Sequence, residues 1–217
     1  FQEGLFHVQD LSAQLACSLL EAQPGQAVCD CCAAPGGKSF TLAEDMENTG
    51  SLYAFDLYKG RVGLIQQGAE RLRLSCIQAG RRDASKPYEG LGQMDRVLCD
   101  VPCSGYGVIR RKPEIRYKPL SSVKELPSLQ YAILENGAAL VKPGGLLVYA
   151  TCTLNPKENG QVALRFLEEH PEFEPSPFSL PGVEHLVDEP AHTVTLLPIN
   201  GGSDGFFAAR FRRKGEL

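Results

Sequence analysis

Two apolar rhythms alternate along this chain. Val8, Leu11, Leu15 and Leu19 recur at near-helical spacing and predict an amphipathic opening helix that Pro24-Gly25 stops. Ala27 to Cys31 is a short apolar run ending at a Pro-Gly-Gly turn, and Ser39 to Met46 reads as the helix beyond it. The unit then repeats: Leu52 to Phe55 ends at Asp56 and leads into a helix with Val62, Ile65, Ala69 and Leu72 on one face. Leu74 to Ala79, Arg96 to Cys99 and Leu146 to Ala150 are further strands, the last preceded by Lys142-Pro143-Gly144-Gly145. Between the last two, Leu129, Ile133, Asn136 and Leu140 indicate a helix with Pro127 near its start, and a final helix runs from beyond Asn155 to about His170. Thr193 to Leu197 and Phe206 to Phe211 close the series as strands. Strands alternating with helices predict an α/β fold with a doubly wound, mainly parallel, seven-stranded sheet, whose ligands sit beyond the carboxyl ends of the strands. Pro171 to Pro190, rich in Pro and Glu, reads as a long surface loop.

Composition narrows the class. With 217 residues, 43% hydrophobic and 22% charged, the chain suits one globular domain, expected over residues 1–217. No apolar run is long enough to span a bilayer, and no charged and apolar leader follows Phe1, so a cytoplasmic fragment or processed piece, a monomer without membrane contact, is expected. Eight cysteines are too sparse for a disulfide scaffold and suit a reducing compartment. Cys29, Cys31 and Cys32 lack a second Cys or His pair at zinc spacing, so no metal is expected. A net charge of −4 argues against a surface that binds nucleic acid everywhere, and leaves two local basic clusters. The first is Arg110, Arg111, Lys112, Arg116 and Lys118, a natural backbone clamp. The second is Arg210, Arg212, Arg213 and Lys214, which reads more simply as a solvated tail.

The chemistry-bearing residues fall at strand ends. Cys32-Ala33-Ala34-Pro35-Gly36-Gly37-Lys38 follows the first strand, where glycines let the backbone approach a ligand and a helix opens with free N–H groups. The Gly-x-Gly-x-x-Gly pattern of nucleotide redox enzymes is absent. Asp56 ends the second strand, where a carboxylate can accept from both ribose hydroxyls; Asp83 lies beyond the third and Asp100 ends the fourth. Each alone could be a cap or turn acid. Together they suggest a nucleoside with a short charged tail, which S-adenosylmethionine fits. Asp100-Val101-Pro102-Cys103-Ser104-Gly105 and Thr151-Cys152-Thr153 follow neighbouring strands and would offer two thiols to one cleft, although a lone Cys is more often a small buried residue.

Cys32 to Lys38, the Asp-x-Pro-Cys-Ser-Gly run at Asp100 to Gly105 and Ala150-Thr151-Cys152 resemble the NOP/Sun family of RNA cytosine-5 methyltransferases, and the likeness extends from Gln9-Asp10 to Asp204-Gly205-Phe206-Phe207. Gly107 to Ile115 looks most like the bacterial branch that modifies 16S ribosomal RNA. The resemblance implies a Rossmann-like S-adenosylmethionine-dependent methyltransferase fold, with Cys32 to Lys38, Asp56, Asp83 and Asp100 holding the cofactor. It implies Cys152 as nucleophile, with Cys103 assisting release, and RNA rather than DNA as substrate. Bacterial members usually carry an N-terminal RNA-binding domain, expected to be missing here. Val101 and Cys31 depart from the usual Ala and Leu, both on apolar strand ends. On the residues themselves, Asp100 would bond near N3 or the amino group of the base. Three other readings compete: methylation of cytosine 5 in a tRNA or another ribosomal RNA by the same family, DNA cytosine-5 methylation through the Pro-Cys thiol, which the second thiol disfavours, and a non-catalytic RNA-binding or assembly factor, for which two thiols and three acids have no use.

Overall fold

The computed structural model describes residues 1–180, 191–198 and 203–215, apart from the side chain of Leu120. The ten residues at 181–190, half of the expected loop, lie outside the described residues.

The chain winds through β1 (Ala27–Asp30), β2 (Ser51–Asp56), β3 (Ile77–Arg81), β4 (Met94–Asp100) and β5 (Val141–Thr151) as parallel strands in the order β3-β2-β1-β4-β5. β6 (Phe173–Pro175), β7 (Thr193–Leu196) and β8 (Phe206–Arg213) complete the sheet antiparallel. The central strands β1, β4 and β5 run into the site through apolar stretches, Val28–Cys29, Val97–Cys99 and Leu146–Ala150, because helices cover both of their faces. On one face, α1 (Leu11–Ser18), α2 (Gly37–Asp45) and α3 (Lys59–Leu72) pack Leu42, Met46 and Ile65 against Val28, Leu52, Leu98 and Val148. On the other, α4 (Leu126–Leu140) and α5 (Gly160–Glu169) pack Leu134 and Phe166 against Val97, Leu147, Tyr149 and Phe211. Period-2 alternation assigns neighbours such as Val97 and Leu98 to opposite cores, each such side chain stabilising the fold by roughly 1.5–3 kcal/mol when fully buried.

The class is as expected, but the sheet has eight strands rather than seven. The addition is Phe173–Pro175, inside the stretch read as loop; Pro175 is tolerated because this short strand sits at the edge of the sheet on β8. The opening helix begins at Leu11 instead of near Val8, because Asp10 caps it by accepting from the Ser12 N–H, and Val8 is 81% exposed. β3 starts three residues later than Leu74. The second basic cluster is not a solvated tail. Arg210 is buried in β8, donating to the Ser176, Pro177 and Leu19 carbonyls and pairing with Glu21, while Arg212, Arg213 and Lys214 donate to backbone carbonyls of Gly144, Val141 and Pro171. No helix among the described residues is long and apolar enough to cross a membrane.

Candidate active site

The ends of β1, β2, β4 and β5 and the start of α2 meet around two cavities that share a wall. The turn after β1 is set by Gly36, whose φ of 116° is a left-handed conformation that favours glycine; a Cβ there would also lie 2.4 Å from the Phe40 ring. That turn brings Cys32 and Ala34 to the first cavity, of about 390 Å³, with Asp56, Asp83, Asp100, Cys103 and Cys152. Asp56 is buried, with Oδ1 accepting from the Tyr58 N–H and Oδ2 3.4 Å from Arg61 Nη1. Asp83 accepts from the Ser85 hydroxyl and N–H, and these bonds hold its carboxyl below the usual carboxylate range. The second cavity, of about 400 Å³, is lined by Asp30, Lys38, Arg111 and Lys112, and again by Cys32, Ala34, Asp100 and Cys152. Cys152 and Asp100 therefore stand where the two spaces meet. Of the loop expected to hold a cofactor, Cys32 and Ala34 reach the first cavity, while Lys38 turns towards the second.

Lys38 Nζ lies 2.7 Å from Asp100 Oδ2. Burial alone would weaken the ammonium, but the Asp100 carboxylate outweighs it and pushes the Lys38 pKa up. Cys103 Sγ and Cys152 Sγ are 3.2 Å apart. The hydrogen bond from Cys103 holds the Cys152 thiol below its ordinary range against the cost of burial, and the Lys38 charge acts in the same direction. The bond to Cys152, joined by burial, pushes Cys103 the other way. One sulfur is thus poised to ionise and its neighbour to stay protonated. The Cys152 backbone is fixed too: its carbonyl accepts from the Gly107 N–H at 3.0 Å, and Gly205 donates to the Gly107 carbonyl at 2.9 Å. A Cβ on Gly107 would lie 2.0 Å from the Gly205 oxygen, so the close approach requires glycine.

Sequence reasoning missed three contributors. Arg61 Nη2 donates to the Ala34 carbonyl at 2.8 Å, fastening the β1–α2 turn to the start of α3. Glu158 is fully buried between the two thiol-bearing loops. Asp30 ends β1 fully buried, with Oδ2 accepting from the Ser39 hydroxyl at 2.7 Å and Oδ1 without a partner. The only signal for Asp30 was a carboxylate inside an apolar run. The first basic cluster is in part committed elsewhere, because Arg111 forms a two-point ion pair with the buried Asp204, whose N–H reaches the Asp10 carboxylate at 3.4 Å.

Burial raises the Asp30 carboxyl to about 7, with the Ser39 hydrogen bond and Lys38 opposing and Asp100 reinforcing. Between its ordinary range and that value, the folded chain holds a proton that the unfolded chain releases. The stability this represents is present in acid and is lost as pH rises through 7. Asp30→Asn should therefore gain on the parent by up to roughly 2–3 kcal/mol between pH 5 and pH 8. Thermal melts of both proteins at the two pH values read it directly; a difference independent of pH would show that Asp30 stays ionised.

Fold and site together define the class: a doubly wound α/β domain with two adjacent thiols where two cavities meet beyond the strand ends. The family described as 16S rRNA methyltransferase RsmB/F matches residues 17–212, and the chain belongs to that family. It is 44% identical over 225 residues to the probable ribosomal RNA small subunit methyltransferase B of Bacillus subtilis (strain 168), covering 99% of this chain and 49% of that protein. Among solved structures it superposes on PH0851 with a TM-score of 0.91 at 36% identity, over 98% of this chain and 48% of the other. It superposes on NSun6 from Pyrococcus horikoshii with SFG with a TM-score of 0.85 at 26% identity, over 100% and 55%. The chain spans about half the length of the curated relatives it matches.

S-adenosylmethionine, the cofactor of this family, suits the first cavity. A nucleoside needs carboxylates for its hydroxyl and amino groups and apolar walls for its ring. Asp56, Asp83 and Asp100 supply the former, and Leu57, Pro102, Leu129 and Ile133 the latter.

Proposed function

We propose that this chain transfers a methyl group from S-adenosylmethionine to carbon 5 of a cytosine in RNA, with small-subunit ribosomal RNA as the substrate. The observation that carries the reading is the pair of sulfurs 3.2 Å apart at the wall shared by two cavities, with Cys152 biased towards the thiolate. Membership of a family described by 16S rRNA methylation supports the choice of RNA.

Carbon 5 of cytosine is a poor nucleophile. The Cys152 thiolate adds to carbon 6, forming the S–C6 bond and pushing the ring electrons towards carbon 5. S-adenosylmethionine, when held at the first cavity, would supply an electrophilic methyl for carbon 5 to attack. Asp100, on that wall, accepts from the amino group or protonated N3 of the base and stabilises the charge that develops during addition. Lys38 holds the Asp100 carboxylate in place and favours the thiolate. After methylation, a water takes the carbon 5 proton, the S–C6 bond breaks with its electron pair returning to the Cys152 sulfur, and Cys103, the protonated partner, gives that sulfur its proton as it leaves. Asp56 and Asp83 would hold the ribose and base of the cofactor, and Cys32 and Ala34, which line both cavities, would meet its amino-acid end, while Ala33, Pro35, Gly37 and Lys38 line the second cavity. The target base reaches the second cavity only if unstacked, which costs a few kcal/mol and is cheapest in single-stranded RNA. Arg111 and Lys112 at that cavity begin the basic stretch to Lys118, which meets the phosphates flanking the base.

The test is to incubate the full-length protein with labelled S-adenosylmethionine and unmodified small-subunit RNA, the same sequence as DNA serving as control. Label in a single 5-methylcytosine of the RNA is the expected result. Label on another base, or equal label in the DNA, would overturn the proposal.

A further inference from the structure

Cys103 and Cys152 stand on different loops, 49 positions apart, yet their sulfurs meet at 3.2 Å. One side chain binds both loops. Glu158, fully buried, accepts through Oε2 from the Ser104 N–H at 2.8 Å and from Gln130 Nε2 at 2.9 Å, and through Oε1 from Asn155 Nδ2 at 2.7 Å. Gln130 Nε2 also donates to the Pro102 carbonyl at 2.9 Å, so the residues on both sides of Cys103 are pinned. The Cys152 loop is held through Asn155, and the hydroxyls of Ser104 and Thr153 join the two loops at 2.7 Å. The carboxylate has three N–H donors and no cation among these partners. Its charge is balanced only while both loops are in place.

We propose that Glu158 is a positioning residue of the methyl-transfer site: by bonding both thiol-bearing loops at once, it sets the distance between Cys103 and Cys152. This rests on the reading that Cys103 releases an adduct formed on Cys152. Three donors converge on the carboxylate, which as an acceptor-only group can satisfy them all. A glutamine of the same shape presents an amide NH₂ to at least one of them, which loses its acceptor, and one loop is freed. Errors in position of about 1 Å at a reacting centre cost up to about a hundredfold, so a small drift of either loop is felt in chemistry before it is felt in the fold.

The experiment uses the full-length protein with Glu158→Gln and two readouts. In the first, without RNA, diamide takes two hydrogens from the thiol pair and leaves a Cys103–Cys152 disulfide and the hydrazine. The parent should close this disulfide readily and E158Q at least about tenfold more slowly. Alkylation of Cys152 by iodoacetamide, located by peptide mapping, should also slow, because a drifting Cys103 no longer holds that thiol below its ordinary range, but by less than disulfide closure, which needs both sulfurs in contact. In the second readout, E158Q should methylate RNA in the first turnover and then accumulate the covalent adduct, as Cys103→Ala does. Failure of Cys103→Ala itself to trap an adduct would condemn the release role of Cys103 and leave the disulfide comparison to decide on Glu158. A parent that forms no disulfide, or an E158Q protein that closes it at the parental rate, would overturn the inference. Should E158Q not fold, Asn155→Ala, which removes the tie to the Cys152 loop together with the exposed bond from the Lys157 N–H, takes its place with the same expected slowing, and an unchanged rate overturns the proposal equally.

Discussion

Cys152→Ala should bring methyl transfer down to background, a loss of at least about a thousandfold in kcat, while leaving the melting temperature within a few degrees of the parent. The size of the effect follows from the order of events. Without a sulfur to add at carbon 6, carbon 5 never becomes nucleophilic, and the remaining groups can hold the base and the methyl donor without joining them. The small cost in stability follows from the environment: the Cys152 side chain is half-buried beside a cavity rather than locked into the core, so alanine leaves no closed void. A filter assay with labelled S-adenosylmethionine, run beside a thermal melt, gives both numbers. A folded mutant with more than a tenth of parental activity would remove Cys152 from the reaction and reassign the attack to Cys103.

Cys103→Ala should give the opposite phenotype. The thiolate would still add and the methyl would still transfer, but the S–C6 bond would break slowly, and RNA would remain attached to the protein. Turnover should fall by about 10²–10⁴, the usual contribution of a positioned proton-transfer group, and a slow-migrating band should survive a denaturing gel. The double mutant lacking both sulfurs should show no such band. Absence of the band in Cys103→Ala, with ordinary turnover, would take Cys103 out of the release step.

Much of this site was legible along the chain because the fold places function at strand ends, and strand ends are marked by where apolar runs stop. Asp56, Asp100 and Cys152 each interrupt or follow such a run within two residues, and the structure brings Asp100, Cys103 and Cys152 to one cavity with Asp56 and Asp83. What was not legible depended on contacts between distant segments. Glu158 sits 54 positions from the amide it binds at Ser104, and no local spacing announces it. Arg61 reads as one more charge on an exposed helix turn until the Ala34 carbonyl is placed beside it. Lys38 was recognised as part of its loop, but its direction is decided by Asp100 on another strand. Errors in the elements have similar causes. Val8 extended an apolar period past the Asp10 cap, and Phe173–Pro175 pairs only because β8 offers an edge, which a three-residue stretch containing Glu and Pro cannot signal. Arg210 looked like solvated tail because charge outweighs pattern in a basic run, whereas alternate positions of that run face a sheet interior.

The position of β8 bears on how this chain completes its fold. It is the last strand among the described residues, yet it lies inside the sheet, with β5 along one edge and β6 and β7 sharing the other. A nascent chain that has emerged only as far as β7 carries Cys103, Cys152 and every acid of the first cavity, but β5 still has an open edge of unpaired backbone groups and the Gly107 carbonyl lacks its bond from Gly205. Protection of the β5 edge from edge-to-edge pairing therefore waits for β8, and a chain cut just ahead of Phe206 would lack it.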